Sequence, residues 1–332
     1  MKVFWTMAEN KNPVGWFSRW SVVGKFCLLL ICLLFICEVL IYYIVLLQCS
    51  WPTLDPLSTD SGIPPGQSHT PLRVMLLADT HLLGSKNGHW FDKLRREWQM
   101  YRAFQTALTI FSPHFIFVGD VFDEGLWCSD KEFTYYVNRY NSLFYTSEKT
   151  RRFVVVGNHD IGFHYSVSKH HKERFERAFN VSSVHFVVIQ GNIFIMLNSM
   201  TMEGDGCSLC QEAEDQLRGV AHFLRCTKII KLLNPRVMFS GHTHHGCFSQ
   251  HWEGIPEWTL PSFSWRNKKN PSFMLGIFTP NNYSLRKCYM PVENTVFMLY
   301  FVGGSLIVVW LIMKVRRQWF CFLHTRTLKE KR

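Results

Sequence analysis

Four short groups of polar residues, each placed directly after an apolar run, indicate the chemistry of this sequence. In chain order they are Asp79-Thr80-His81, Gly119-Asp120, Gly157-Asn158-His159-Asp160 and Gly241-His242-Thr243-His244. Each apolar run predicts a β-strand, so the polar groups would lie at strand ends, where open α/β sheets place their sites. Carboxylate and imidazole ligands together suit transition metals better than Ca²⁺. The four groups therefore predict a metal centre.

These groups resemble those of the calcineurin-like metallophosphoesterases, and the resemblance runs from about Arg73 to Thr279. It implies two divalent cations, with Mn²⁺ as the expected ion, which would clamp the oxygens of an in-line displacement. It also implies that His159 lies beside the metals without binding them and protonates the leaving oxygen. The implied ligands are Asp79, His81 and His244 for the first metal, Asn158 and His242 for the second, and Asp120 as the bridge between them.

One ligand of the family pattern is missing from this chain. The pattern includes a further His for the second metal, at the end of a buried strand before the Gly-His-Thr-His group. No apolar strand ending in His lies between Asp160 and Ser240. His185 stands at a strand start and His222 lies in a predicted amphipathic helix, so neither is a good substitute. We expect that an internal segment between about Leu224 and Ile229 is absent and that this chain is impaired as an enzyme.

Several nearby side chains are candidates for supporting roles. Asp123 and Asp160 are expected to orient ligands or the bridging loop, as carboxylates next to metal ligands do. The substrate candidates are His164, Trp265 and Arg266, because Trp stacks on sugars and Arg pairs with phosphate in a bidentate manner. A hydrogen-bonding role for His164 and a packing role for Trp265 remain open alternatives.

The alternation of strand and helix signals, together with the resemblance, predicts an α/β fold. The expected architecture is a four-layer α/β/β/α sandwich held between two transmembrane helices. The predicted divisions are a cytosolic tail at 1–25, a transmembrane helix at 26–47, a linker at 48–71, a luminal domain at 72–290, a second transmembrane helix at 296–313 and a basic cytosolic tail at 314–332.

Two uncharged or nearly uncharged apolar stretches support the membrane prediction. The first, Phe26 to Leu47, has the length of a bilayer core and is interrupted only by Glu38. A mid-membrane acid is costly, so Glu38 is expected to find a partner or to be protonated. A signal peptide is the alternative, but the stretch is too long and no small-residue cleavage site follows it. The second stretch, Val296 to Met313, is short for a span.

The distribution of charge indicates topology. Most of the formal net charge of +11 comes from Lys and Arg in the two tails. The positive-inside rule then places both termini in the cytosol and the domain in a lumen. Nucleic acid is the alternative partner for a basic protein, and we expect none here because most of the charge lies in the tails.

The region between the spans has features of a secreted domain. It carries two sequons, Asn180-Val181-Ser182 and Asn282-Tyr283-Ser284, which are weak indications of glycosylation. Its seven cysteines are an odd number, as expected if a deleted segment carried a partner. Cys207 and Cys210, which have two residues between them, could form a redox pair, a zinc pair or a structural disulfide.

Four longer segments resemble membrane-bound family members that remove ethanolamine phosphate from the second mannose of GPI anchors: Ala78–Gly84, Asp92–Met100, Gly157–Tyr165 and Pro261–Asn267. That resemblance implies GPI-anchored proteins as substrates and a place at endoplasmic reticulum exit sites, the intermediate compartment and the Golgi membrane. It also implies coat or cargo-receptor contacts through the C-terminal tail, although Glu330 occupies the third position from the end, where a lysine is expected. The alternatives are an inactive GPI-binding form and a luminal phosphoesterase with another substrate.

Overall fold

The computed structural model describes residues 21–54, 70–226, 235–250 and 254–330, without the side chains of 222–226 and 321–330. These residues fall into two units, 21–41 with 294–330 and 42–293. The helices are α1 (Val22–Leu46), α2 (Trp90–Phe111), α3 (Asp130–Leu143), α4 (Asn158–Ile161), α5 (Lys169–Phe179), α6 (Ser208–Cys226) and α7 (Glu293–Glu330). The strands are β1 (Leu72–Ala78), β2 (Phe115–Gly119), β3 (Arg151–Val155), β4 (Val184–Ile189), β5 (Asn192–Leu197), β6 (Met238–Ser240), β7 (Cys247–Gln250), β8 (Pro256–Thr259), β9 (Ser272–Phe278) and β10 (Tyr283–Tyr289).

A five-stranded mixed sheet forms the centre of the larger unit, in the order β10-β9-β1-β2-β3. Strands β1, β2 and β3 are parallel, whereas β9 runs antiparallel to both β1 and β10. Strand β1 is a nearly continuous buried apolar run, as expected for a central strand covered on both faces. The parallel register aligns Ala78 with Gly119 and Gly119 with Val155. The three loops that follow these strands therefore start side by side.

The remaining strands form two smaller sheets, β4-β5 and β6-β8-β7. Both contribute to one apolar core with the central sheet, in which Met196 and Leu260 pack with β1 residues. The predicted α/β fold is confirmed. Within the described residues, however, no hydrogen-bonded strand joins β5 to β6, and the chain between their ends includes residues 227–234, which lie outside the description.

Strands β5 and β6, which belong to the two separate sheets, start close to each other. Arg236, two residues before β6, donates a hydrogen bond from Nη2 to Oδ1 of Asn192, the first residue of β5, at 3.2 Å. The two strands thus begin near each other without pairing among the described residues. This is the part of the chain where the family pattern has a strand ending in His, so the geometry agrees with the predicted internal loss.

Local signals in the sequence account for the helix boundaries next to the sheet. Helix α3 begins with a capping box, in which the Ser129 side chain accepts from the backbone of Glu132 and the Glu132 side chain accepts in return. Helix α2 ends at Ser112, which has a left-handed backbone conformation (φ 45°). Both helices contribute aromatic side chains to the core, including the edge-to-face contact between Phe104 and Phe144 at 5.0 Å.

The smaller unit contains the apolar parts of α1 and α7. The stretches Val22–Leu46 and Glu293–Phe320 are long and apolar enough to cross a membrane, judged by length and composition. Within this unit the Tyr300 hydroxyl donates a hydrogen bond to the Glu38 carboxylate, and Gly303 lies against Leu33. The acid inside the first apolar stretch therefore has a polar partner, as the sequence predicted, and the glycine permits close approach at that point.

Two disulfides form among the described cysteines. Cys49 pairs with Cys288 on β10, and Cys207 pairs with Cys210. Close to Cys49, the indole of Trp51 donates to the Phe111 carbonyl oxygen at 3.2 Å. The beginning of the predicted linker at 48–71 is therefore attached to the domain. Cys128 and Cys247 are free, and the side chain of Cys226 lies outside the description.

The packing of Phe117 generates a stability prediction. Its ring contacts Phe153 and Phe194, each at 5.2 Å between centroids, and so connects the central sheet to β5. We expect Phe117→Ala to lower the free energy of unfolding by about 3–5 kcal/mol, because a cavity replaces a buried ring. Tyr145→Ala is the matched control, since that side chain is 67% exposed, and should change stability by less than about 0.5 kcal/mol. Urea unfolding of both variants measures this; equal losses would contradict it.

Candidate metal centre

The predicted ligands converge at one edge of the central sheet. Strands β1 and β2 lead directly into Asp79 and Asp120, β3 is followed three residues later by Asn158, and β6 of another sheet leads into His242. The backbone N–H of His242 donates to Asp79 Oδ1 at 2.9 Å, which brings the last group against the first. All four polar groups of the sequence thus meet, as expected for loops that leave the carboxyl ends of strands.

Five of the predicted ligands have a left-handed backbone. Among the described residues, eight that are not glycine have a positive φ, and Asp79, His81, Asp120, His242 and His244 are five of them. This conformation costs about 1 kcal/mol or more for a residue with a Cβ, so it persists only where the surroundings impose it. The concentration of such residues at one edge indicates a functional site, and no feature of the sequence alone reveals it.

The ligand set predicted for the first metal is compact. Ligand atoms of Asp79, His81 and His244 lie within 4.8 Å of one another. Nε2 of His81 lies 3.1 Å from Nε2 of His244 and 3.5 Å from Asp120 Oδ2. Imidazole nitrogens that face each other at this distance, next to a carboxylate, form a pocket of electron-pair donors suited to a cation.

The set predicted for the second metal lies on the other side of Asp120. Asp120 Oδ1 accepts from the backbone N–H of His159 at 3.3 Å. The Asn158 side-chain oxygen lies 2.8 Å from His242 Nδ1. The structure therefore brings Asn158 and His242 together, but it supplies no third side chain from the position of the missing strand among the described residues.

Two carboxylate oxygens in the centre accept no hydrogen bond from the described residues. Asp79 Oδ2 and Asp120 Oδ2 are buried and receive no hydrogen bond. Burial raises the pKa of Asp79 to about 6. Burial, followed by the charges of Asp160 and Asp79, raises the pKa of Asp120 well above its ordinary value. Buried unpaired carboxylates are costly unless a cation or a donor compensates them, so these residues fit a divalent metal site.

The imidazoles of the centre favour their neutral form. Burial lowers the pKa of His81, and the neighbouring charge of His159 also lowers it. Burial, followed by the charges of His81 and His159, lowers the pKa of His244 to about 4. Neutral imidazole is the form that binds a metal, so both side chains are ready to act as ligands near neutral pH.

Asp160 fastens two of the ligand loops to each other. Its buried carboxylate accepts backbone N–H bonds from Val121 at 3.2 Å, Phe122 at 2.8 Å and Gly157 at 2.9 Å. The first two donors follow Asp120, and the third precedes Asn158. Asp160 thus holds the loops after β2 and β3 in register, which is the orienting role that the sequence predicts for it.

Asp123 links two histidines of the centre, His81 and His159, to the guanidinium of Arg266. Its carboxylate receives two hydrogen bonds from the guanidinium of Arg266, at 3.0 and 2.9 Å, and Oδ1 lies 3.6 Å from His81 Nδ1. Its backbone oxygen lies 3.1 Å from His159 Nδ1. The ring of His159 is thereby fixed through Nδ1, which leaves Nε2 for another partner. Sequence reasoning did not connect Asp123 with Arg266, because the two are far apart in the chain.

The three substrate candidates have different surroundings. Arg266 is engaged with Asp123 and remains partly exposed. Trp265 is only 6% exposed, its indole N–H donates to the Pro291 carbonyl oxygen, and Arg95 lies over its ring, so its position favours packing over sugar stacking. His164 bonds to Asp205 and to the Met200 carbonyl oxygen. Substrate binding by any of the three stays a prediction.

The two weak substitutes for the missing ligand do not supply it in the described structure. His185 lies on β4 and lines a small cavity together with Val154 and Lys172. None of the predicted metal ligands lines this cavity. His222 lies within α6, and its side chain is outside the description.

Comparison with known proteins agrees with this geometry. A family model described as calcineurin-like phosphoesterase matches residues 72–246. A Gallus gallus protein named metallophosphoesterase 1 is 38% identical over 86% of this chain and 89% of its own length. Proteins of the same name from Danio rerio and Mus musculus are each 36% identical, over 90% and 87% of this chain and 95% and 88% of their own lengths. A solved structure described as a dimetal phosphatase from Danio rerio has 10% identity and a TM-score of 0.42, covering 68% of this chain and all of that chain.

The alignment lengths carry additional information. The alignment with the chicken protein is 358 residues long, which exceeds the 332 residues of this chain although it covers only part of it. The relative therefore has residues inside the aligned region that this chain lacks. This finding agrees with the predicted internal loss but does not locate it.

Gly157 provides a test of the centre. A Cβ at this position would overlap the Asp120 carboxylate, although the backbone there (φ −121°) suits any residue. We expect Gly157→Ala to weaken metal binding by about tenfold or more, as other changes beside metal ligands do. In Gly219→Ala, the control on α6, the new methyl group meets no atom within 4 Å, and the helix should gain up to about 1 kcal/mol. Metal titration by calorimetry compares the two; equal affinities would contradict the proposed crowding.

Proposed function

This chain belongs to the calcineurin-like phosphoesterases, and we propose that it is a membrane-held phosphodiesterase acting on the ethanolamine phosphate of GPI anchors. The family consists of metal-dependent phosphoester hydrolases. One observation carries the assignment to this chain: buried carboxylate oxygens of Asp79 and Asp120 that accept no hydrogen bond lie beside the imidazoles of the strand-end loops. The chemistry of that donor set is that of a metal centre for phosphoester hydrolysis.

The residues of the centre divide the work. Asp79, His81 and His244 would hold one cation, Asn158 and His242 the other, and Asp120 both; Mn²⁺ is the proposed ion. When bound, the cations supply Lewis acidity and an activated water. His159 acts as the proton donor to the leaving oxygen from Nε2, while the Asp123 backbone oxygen holds Nδ1. Asp160 keeps the two middle loops together throughout.

Cationic side chains beside the last ligand loop support an anionic substrate. Lys268 Nζ lies 3.2 Å from His245 Nδ1, and Lys287 Nζ lies against Gly246. Burial, followed by the charge of Lys287, lowers the pKa of Lys268. Two ammonium groups held near each other favour an anion between or beside them, and a phosphoester provides one.

The two apolar helices support a membrane location. Both stretches have the length of a bilayer span, and basic residues lie at or beyond the ends that are nearest the two termini, which favours cytosolic termini and a luminal domain. The Glu38–Tyr300 hydrogen bond satisfies the one acid in the first stretch. We propose residence in early secretory membranes, with coat or cargo-receptor contacts through the basic tail.

The GPI substrate rests on the similarity to the proteins named metallophosphoesterase 1 and on the four segments that resemble GPI-processing members. An apolar stretch precedes the domain in the sequence and another follows it, so the domain would be held at the membrane. A lipid-linked glycan in that membrane would be within its reach. GPI-anchored proteins are then the partners. A luminal phosphoesterase with another substrate, such as a nucleotide, is the competing proposal, and a substrate panel separates the two.

The missing His leads to a second proposal, which concerns the activity of this particular chain. With Asn158, His242 and the bridging Asp120 alone, the second metal lacks one side-chain ligand of the family pattern. The division between β5 and β6 and the longer alignment of the relatives both favour this. We propose that the chain holds its first metal well and its second weakly, so that it binds the GPI substrate with little or no turnover.

A chimera tests the role of the missing segment. The internal segment of the Gallus gallus relative is inserted between Leu224 and Ile229, and the intact chain and the chimera are purified in detergent with Mn²⁺. We expect the intact chain to bind about one metal and to hydrolyse an ethanolamine-phosphate glycan only slowly. The chimera should bind two metals and turn the glycan over. Two metals and equal rates in both proteins would show that the absence of a further His is unimportant.

Substitution of His159 tests the catalytic assignment in the chimera. We expect His159→Gln to lower kcat by about 10²- to 10⁴-fold, the usual contribution of a general acid, with the metal content unchanged. His170→Ala is the control, because that side chain lies on the exposed face of α5 and pairs with Asp130. A variant that loses metal in proportion to activity would identify His159 as a ligand instead.

A further inference from the structure

The pair Cys207 and Cys210 has the position of an exchangeable disulfide. Cys207 directly precedes α6, and Cys210 lies in its first turn. The two are disulfide-bonded across three positions of sequence. A bridge this short removes little freedom from the unfolded chain, whereas Cys49–Cys288 closes a loop of 239 residues. Stability is therefore a weaker explanation for the first bridge than for the second.

The two sulfurs differ in accessibility. Cys210 is fully buried, while Cys207 is half-buried at the beginning of the helix. The backbone N–H of Cys210 donates to Cys207 Sγ at 3.0 Å. A thiolate at this position is stabilised by that N–H and by the positive end of the 19-residue helix. Cys207 is thus suited to be attacked or to attack, and Cys210 is suited to resolve.

A titratable pair lies next to the buried sulfur. Asp205 Oδ1 lies 3.4 Å from Cys210 Sγ, and Asp205 Oδ2 lies 2.8 Å from His164 Nε2. The other ring nitrogen of His164 faces the Met200 carbonyl oxygen at 3.1 Å and lies 3.9 Å from Cys210 Sγ. Hydrogen bonding to Asp205 raises the pKa of His164. A thiolate that leaves into a buried site needs a proton donor, and this pair provides one within contact distance.

We propose that Cys207–Cys210 is a redox-active disulfide that exchanges with a protein dithiol of the Cys-x-x-Cys class. The partner thiolate attacks Cys207 Sγ, the S–S bond breaks, and Cys210 leaves as a thiolate that takes a proton from the His164–Asp205 pair. The second partner thiolate then attacks the mixed disulfide, and Cys207 leaves and is protonated. Two electrons and two protons pass to this chain, and the partner becomes a disulfide.

The exchange site adjoins the metal centre. Phe163, the residue before His164, places its ring edge-on to the ring of His242 at 5.6 Å between centroids. The same four side chains, His164, Asp205, Cys207 and Cys210, also have the spacing of a metal site once the bridge is open. Zinc binding by the reduced pair is therefore the competing outcome that the experiment must separate.

The test uses the full-length chain in detergent, equilibrated in glutathione buffers of graded ratio, then alkylated and analysed by peptide mass spectrometry. We expect Cys207–Cys210 to convert reversibly between its two states at ratios that leave Cys49–Cys288 oxidised, with no zinc bound to the reduced protein. Reduction of both bridges only together, on unfolding, would make the short bridge structural. One zinc ion per reduced chain would make the cluster a metal site; either result overturns the proposal.

Single substitutions define the roles of the two sulfurs. With oxidised glutathione as the probe, Cys210→Ser should accumulate an adduct on Cys207, because no resolving thiol remains. Cys207→Ser should form no adduct, because Cys210 is buried. Adduct formation in the reverse pattern would contradict the assignment.

The proton-transfer role is tested on the rate of exchange. Asp205→Asn should slow reduction of the wild-type bridge by reduced thioredoxin by about tenfold or more. Asp215→Asn, at an exposed position on α6, is the control and should react at the unaltered rate. Equal rates for the two variants would remove Asp205 from the mechanism. If a cysteine variant fails to fold, the wild-type titration still decides the proposal.

Discussion

The structure of the larger unit depends on the burial of three carboxylates, Asp79, Asp120 and Asp160, at one edge of the central sheet. Negative charge in a poorly solvated interior is costly unless donors or cations surround it. Asp160 is compensated within the protein by three backbone N–H donors. Asp79 and Asp120 each retain an oxygen that accepts no hydrogen bond, which suits them to hold a cation. The loops must therefore be held against their mutual repulsion by the rest of the fold.

That restraint explains the unusual backbone at the centre. Left-handed conformations at Asp79, His81 and Asp120 aim the side chains inward from strand ends that are aligned by the parallel register. Gly157 is required because the Asp120 carboxylate occupies the space of a Cβ. The buried β1 strand and the aromatic core around Phe117 provide the rigidity that maintains these strained positions.

The same constraints account for a difference between the two proposed metal positions, which have unequal numbers of ligands in this chain. The first ligand set draws on β1 and on the loop after β6, and both are present and packed. The second set depends on a strand that the family pattern places between β5 and β6, and here those strands begin near each other without pairing among the described residues. Under the proposed assignment, the domain stays ordered while one of its two cation positions would be short of a ligand.

The sequence by itself determined the α/β class, the two apolar stretches, the strand-end location of the site and the six ligand candidates, because these follow from hydrophobic period and from residue types at fixed spacing. A gap in the ordered pattern also predicted that one ligand is missing. Only the tertiary structure decided how distant residues meet. The Arg266–Asp123 pair, the partner of Glu38, the burial of Trp265 and the approach of His164 to Cys210 all join segments far apart in the chain. Such contacts are set by packing and by the sharing of donors among buried groups, which local sequence does not encode.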